Sequence, residues 1–115
     1  MSYRTEFPDY DDELIVPIGW EDSSWHNDAC PSIMTKYHTD KWCEIFQDYK
    51  DEDLRECLTR YVLYLHDESK NGFDYEIIDS DDFDHLLKIA NEFMTKAIQE
   101  DADRAKRMAA MYEVK

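Results

Sequence analysis

Two histidines and two cysteines in the first half of the chain, His26, Cys30, His38 and Cys43, stand at His-x3-Cys and His-x4-Cys separations, which would let four N and S donors meet one tetrahedral zinc ion. Structural zinc sites commonly carry a Cys-x2-Cys knuckle, and this sequence has none. Cys43 also falls inside a predicted strand, and Cys57 and His66 would serve equally well as ligands. On spacing alone the set is a metal candidate. The expectation is that no metal or other cofactor is held, that the thiols fill core, and that His26 bonds loop backbone. A cysteine nucleophile at Cys30 would need a histidine beside it, and His38, His66 and His85 carry no local signature that selects one. With 28 acidic residues, carboxylate pairs arise by number alone and do not identify a glycosidase. Asp79, Asp81, Asp82 and Asp84 lack the central Gly and closing Glu of a calcium loop. The expectation is a protein that is not an enzyme.

Charge is the more informative chemistry. The net charge is −15, and residues 44–84 hold fourteen of the acids against four bases. Residues 1–43 carry nine acids and three bases, and residues 85–115 carry five acids and six bases. The predicted partner-binding acidic face is therefore Glu44, Asp48, Asp51, Glu52, Asp53, Glu56, Asp67, Glu68, Asp74, Glu76, Asp79, Asp81, Asp82 and Asp84. Such a field repels nucleic acid and anionic lipid and speeds encounters with basic surfaces. Trp20, Trp25, Trp42, Tyr37 and Tyr49 would suit a base-stacking platform, but that platform needs a cationic groove to follow phosphates. These aromatics are read as core, with one or two at a protein interface.

Positioning these groups requires a fold, and the stretch 60–66, Arg-Tyr-Val-Leu-Tyr-Leu-His, is its centre. Both of its alternating sets are apolar, which predicts an interior strand covered on each side. An amphipathic run from Phe83 to Ile98 offers one cover, and the tryptophan-rich N-terminal third offers the other. Around this strand the sequence predicts an irregular arm over 1–13, a short strand over 13–16 stopped by Pro17, and a polar loop over 21–31. A hairpin follows, with arms 32–37 and 41–49. Residues 51–58 read as a short helix, with Leu54, Cys57 and Leu58 at helical spacing. An Asn71-Gly72 turn and a strand over 73–79 come next. Ser80 or Asp79 then caps a helix whose apolar stripe runs from Phe83 to Ile98 and thins through Ala102, Ala105, Met108, Ala109 and Tyr112. Unbroken to Tyr112, that helix would be about 48 Å long, so residues 99–115 must bend back or project. The fold class expected is α+β: one domain over 1–115, a small antiparallel sheet of four to five strands, and a long C-terminal helix on one face.

The longest apolar runs, 14–18 and 61–65, fall well short of the roughly 20 residues that span a bilayer. The N-terminus has no apolar h-region, and the three cysteines cannot all pair within one chain, which together predict a cytoplasmic protein. In size, charge and aromatic content the chain resembles, in type and without a shared motif, the phage-encoded inhibitors of restriction and CRISPR systems. That resemblance implies a host-cell location and a basic nucleic-acid-binding protein as partner, with no direct contact to nucleic acid or membrane. The alternative is a non-catalytic acidic adaptor or housekeeping domain that binds a protein, or a second copy of itself, through the C-terminal helix.

Overall fold

The structure, a computed structural model, describes residues 2–35, 40–68 and 74–112. A one-turn helix, α1 (Tyr3–Glu6), is capped by the Ser2 hydroxyl, which accepts the Arg4 N–H. Among the described residues five strands follow: β1 (Trp20–Asp22), β2 (Ser32–Thr35), β3 (Lys41–Gln47), β4 (Tyr61–Asp67) and β5 (Asp74–Ser80). They form one antiparallel sheet in chain order. The 30-residue helix α2 (Phe83–Tyr112) packs across β3, β4 and β5. The architecture is α+β, and β4 lies inside the sheet between β3 and β5.

Strand register decides what the helix covers. Cys43 pairs with Leu65 and Ile45 with Leu63, while Leu63 also faces Ile78 across β5. Paired residues share a face, so these side chains meet Leu86, Ala90 and Met94 of α2 in the core, which Ile33, Trp20 and Leu14 extend. Fully burying a Leu or Ile side chain contributes about 1.5–3 kcal/mol; Ile33, Ile45, Leu63 and Leu86 all qualify. Asp82 caps α2 by accepting the His85 N–H, and Ser80 in turn accepts the Asp82 N–H, so the cap is two residues later than Ser80 and three later than Asp79.

Several sequence expectations are corrected. Residues 13–16 are not a strand, because the Gln47 side chain takes their backbone groups: its Nε2 donates to the Glu13 carbonyl at 2.8 Å and its Oε1 accepts the Ile15 N–H. The arm over 1–13 is not wholly irregular, since it contains α1. Residues 51–58 form only a 3-10 turn over Glu52–Leu54. Asp48 accepts the N–H groups of Glu56 and Cys57, which therefore do not join a helical ladder, and Leu58 is fully exposed. The arm predicted over 41–49 ends as a strand at Gln47. Ile98 is not part of the buried stripe but more than half exposed. The hairpin connection at 38–39 and the Asn71-Gly72 turn lie outside the described residues.

The helix end projects. Lys41 Nζ reaches Glu100 at 2.8 Å, and residues 104–111 beyond it are all exposed. The overhang stretches the molecule to 66 Å along its longest axis and its radius of gyration to 17.1 Å, against about 13 Å for a compact domain of this size.

Candidate functional site

The antiparallel order brings the end of β3, the start of β4 and the end of β5 together at one edge of the sheet. Three contacts tie the neighbouring loops to that edge. Arg60 N–H donates to Asp81 at 2.9 Å, the Arg60 guanidinium reaches Asp12 at 2.7 Å, and Asp11 accepts the N–H groups of Lys50 and Asp51 at 2.8 Å each. Asp51, Glu52, Asp53, Glu56, Asp79, Asp81, Asp82 and Asp84 are therefore collected at this end, all exposed, and exposed Asp9, Asp11 and Glu13 of the N-terminal arm join them. The cations here are exposed Lys50, with Arg55 and Arg60 turned to backbone carbonyls: Arg55 to Tyr49 and Lys50, Arg60 to Asp48. Hydrogen bonds from the Lys50 and Asp51 N–H groups hold the Asp11 carboxyl below the usual carboxylate range despite the opposing effect of burial. The Arg60 guanidinium does the same for Asp12.

The other predicted members of the acidic face are elsewhere. Asp67, Glu68 and Asp74 belong to the opposite end of the sheet, about 20 Å away along a seven-residue strand. Glu76 is on the helix side, paired with Leu65, and Glu44 is on the other side, paired with Tyr64. Asp48 is removed from the surface altogether at 1 % exposure; it is a structural acceptor for the N–H groups of Tyr49, Glu56 and Cys57. The fourteen acids are not one continuous face, because strand alternation and chain reversal distribute them over two ends and two sides.

The side of the sheet away from α2 is the feature that sequence reading missed. Trp20, expected to help cover it, is buried on the helix side, and residues 13–17 pack there too, beside Tyr61 and Phe83. That side carries Trp42, Glu44 and Phe46 from β3, Val62, Tyr64 and His66 from β4, and Tyr75 and Ile77 from β5; Tyr75 and Ile77 are half exposed, His66 is buried and the others are partly buried. Trp42, His66 and Tyr64 lie nearly parallel: Trp42 stacks on His66 at 4.7 Å and Tyr64 on His66 at 5.9 Å, with interplanar angles of 13° and 14°. Tyr75 leans against both Tyr64 and His66, and is itself half exposed. The alternation of apolar residues in β4 was the signal for this row. Alternation alone does not reveal whether a second layer exists.

Glu44 sits among these rings, its carboxyl 3.6 Å from His66 Nε2. Burial, reinforced by the negative charge of Asp28, pushes the Glu44 carboxyl up to about 7. Burial also lowers His66 from its ordinary value, with Glu68 opposing. Both groups are thus drawn toward their neutral forms near pH 7. Beside them the polar loop lies against the sheet and leaves a cavity of about 210 Å³ lined by Asp28, Ala29, Cys30, Phe46, Cys57, Val62 and Tyr64. Asp28, too, is raised by burial.

The proposed metal ligands do not converge. Cys30 lines the cavity on the side away from α2, whereas Cys43 is in the helix-side core, its Sγ 3.8 Å from the Ala90 carbonyl. A five-stranded sheet separates them. His26 Nδ1 is 3.0 Å from Glu6, and its N–H also reaches Glu6, so the expected bond to loop backbone is replaced by one to α1. His38 lies outside the described residues, and among the described residues no three His, Cys, Asp or Glu side chains gather as a metal site. Burial pushes the Cys43 thiol up to about 12 and the Cys57 thiol to about 11, and raises Cys30 further, so all three are protonated thiols at neutral pH.

The chain matches no protein-family model, no curated protein and no solved structure. Among the described residues no helix is long and apolar enough to cross a membrane.

Proposed function

We propose that this protein is a small, non-catalytic acidic inhibitor of the anti-CRISPR or anti-restriction type, phage-encoded and acting in the host-cell cytoplasm. It binds a basic nucleic-acid-binding protein by imitating nucleic-acid charge. The observation that carries this reading is the gathering of eleven exposed carboxylates at the Gln47–Tyr61–Ser80 end of the sheet, where Lys50 is the exposed base and Lys88 stands one turn into α2. Duplex DNA displays one negative charge per about 1.7 Å of axis, and a rigid protein edge dense in carboxylates presents a comparable field to a cationic groove. Anchoring matters as much as number. Asp11, Asp51, Asp81 and Asp82 are fixed by backbone N–H bonds, so part of the array is ordered before a partner arrives.

The test is DNA binding by restriction and CRISPR effector complexes, titrated with the protein at two salt concentrations. The parent is expected to compete with DNA, and more weakly as salt rises. Changing Asp51, Glu52, Asp53 and Glu56 together to Lys should abolish competition and flatten the salt dependence. Parental competition by that variant at low salt, or no competition with any basic effector, overturns the reading.

A second reading is supported by the overhang of α2, where Met108 is half exposed and Met111 more so, beside Ala102, Ala105 and Ala109. Here the protein is an acidic adaptor that offers the helix to a groove on its partner or to a second copy. Binding through this stripe would survive both high salt and the four-residue charge reversal.

A further inference from the structure

We propose that the groove between residues 15–17 and the start of α2 seats an apolar side chain of the basic partner, carried on a protein segment in which lysine or arginine flanks a leucine or phenylalanine. This deepens the basic-partner reading and rests on it for the partner's charge, but it adds an apolar anchor that imitation of nucleic-acid charge does not supply.

The groove starts from a run of apolar residues, Leu14 to Ile18, that mostly stays outside the core. Leu14 alone is buried; Ile15 and Val16 are close to half exposed and Ile18 is fully exposed. The run is not a loose end. The buried Gln47 amide holds the Glu13 carbonyl and the Ile15 N–H, and the Pro17 carbonyl accepts the Trp20 N–H at 3.1 Å. Opposite this ridge, partly buried Tyr61 and Phe83 meet edge to face with ring centroids 5.3 Å apart and pack against the core, and Leu87 follows one turn into α2. Together these residues line a groove of about 600 Å³. Its charged lining residues are Asp81, Asp82 and Asp84, all exposed, and the first two are fixed by the N–H groups of Arg60 and His85.

Apolar walls and an anionic rim specify both halves of the occupant. Grouped exposed apolar residues with a polar rim mark interaction surfaces. Phosphates and anionic lipid are repelled by the rim, and a neutral apolar ligand leaves the carboxylates without a counter-charge. A cationic segment with an apolar anchor satisfies both, the anchor filling the groove and the rim speeding encounter. The chain itself carries one competing occupant, since Arg104, Lys106, Arg107 and Met108 on the exposed overhang of α2 combine the same two properties. At a net charge of −15, however, two copies repel each other, which favours a foreign basic segment.

The experiment uses the full chain and three acetylated, amidated peptides, followed by NMR of the Ile15 and Val16 methyl groups. The first is Arg-Lys-Leu-Phe-Lys-Arg, the second has Ala-Ala at its centre, and the third keeps Leu-Phe but has Glu at the four basic positions. Saturable shifts are expected with the first, binding at least about fivefold weaker with the second, and no shift with the third. Ile15→Ser with Val16→Ser, a change at two exposed positions, should weaken the first peptide to the level of the second. Equal affinity of the parent for the first two peptides overturns the inference, and this comparison decides even where the double variant does not fold. Shifts of the same methyl groups on raising the protein concentration without peptide give the groove to a second copy and also overturn it. In the effector titration the double variant should compete at least about fivefold more weakly than the parent, with an unchanged salt dependence. Parental competition by the folded double variant overturns the inference and leaves the proposed function standing. A parent that binds the Leu-Phe peptide in the groove but competes for no effector sinks the proposed function alone.

Discussion

The two faces of β4 are built from similar residues and have opposite fates. On one side Leu63 and Leu65, with partly buried Tyr61 beside them, pack in the core with Leu86, Ala90 and Met94. On the other, Val62 and Tyr64 remain partly exposed beside Glu44 and the polar loop, while His66 is buried between the rings of its neighbours. A sheet buried on both sides would have placed Glu44 in a dry interior, where an unpaired carboxylate costs several kcal/mol. With that side only partly covered, the strand keeps the aromatic content of a core at positions such as Tyr64 that water still reaches. The apolar residues of a strand thus report that a face is suited to contact, and the rest of the chain decides whether the contact is internal.

The sharpest way to break this contrast is to change neighbouring residues of β4. Leu63→Asp places a charge at a position with no exposure, under α2, and should abolish cooperative melting, a loss above about 4 kcal/mol. Tyr64→Ala, one residue later on the partly covered side, should cost about 1–2 kcal/mol, because a half-buried ring leaves no closed cavity. Circular-dichroism melts of the two variants check this. Equal losses would mean that this face is covered as fully as the helix side.

The second comparison lies within the acids themselves, between Asp48 and Asp51. Both accept backbone N–H bonds, but Asp48 is buried and serves Tyr49, Glu56 and Cys57, whereas Asp51 is an exposed cap for one N–H of a 3-10 turn. Asp48→Ala leaves three donors without their acceptor and should destabilise by about 3 kcal/mol. Asp51→Ala should cost about 1 kcal/mol. Urea denaturation separates them, and a small effect of Asp48→Ala would show that the loop over 48–60 reorganises without it.

Glu44 distinguishes the two faces by pH. Its folded value of about 7 is above the ordinary 4.5, so the folded chain binds the proton more tightly than the unfolded chain between those limits. Stability from this group is therefore full below about 4.5, falls as pH rises from there to 7, and is flat above. His66 acts in the opposite sense, since a lowered histidine makes the fold weaker as pH drops below 6.5. Glu44→Gln should stabilise the protein at pH 8 by on the order of 1–3 kcal/mol and should leave stability at pH 4.5 nearly unchanged. Urea midpoints at pH 4.5, 6, 7 and 8 test this. A parent and variant that run parallel over the whole range would mean that Glu44 is solvated in the folded state.

Local residue pattern carried much of the fold. The β-rich stretch 60–66 proved interior because no charge interrupts it, and the stripe from Phe83 to Ala97 proved a helix face because its period has no competitor. The failures share one cause, which is a distant side chain taking backbone groups that a local reading assigns elsewhere. Gln47 does so at Glu13 and Ile15, and Asp48 at Glu56 and Cys57. The candidate site was legible as charge but not as placement. That Asp51 and Asp81 are neighbours while Asp67 is at the far end follows from strand order, which no composition encodes.

The smallest expected effect lies along α2, whose two halves have similar helix-forming residues but different surroundings. From Leu86 to Ala97 the helix is held by the sheet, whereas from Arg104 to Met111 every residue is exposed. Short helices without tertiary contacts are marginal in water, and this overhang is propagated from the packed part rather than stable in its own right. Amide exchange should therefore be slow at Leu86, Ala90 and Met94 and fast beyond Ala102, where opening does not require the core to unfold. Ala105→Gly lowers helix propensity by about 1 kcal/mol, yet this falls on a segment that opens independently. Helical signal should drop slightly, with the melting temperature of the sheet unchanged. A melting temperature that falls with Ala105→Gly, and falls more at higher protein concentration in the parent comparison, would mean that the overhang is packed against a second copy, and the contrast between the two halves of the helix would belong to the monomer only.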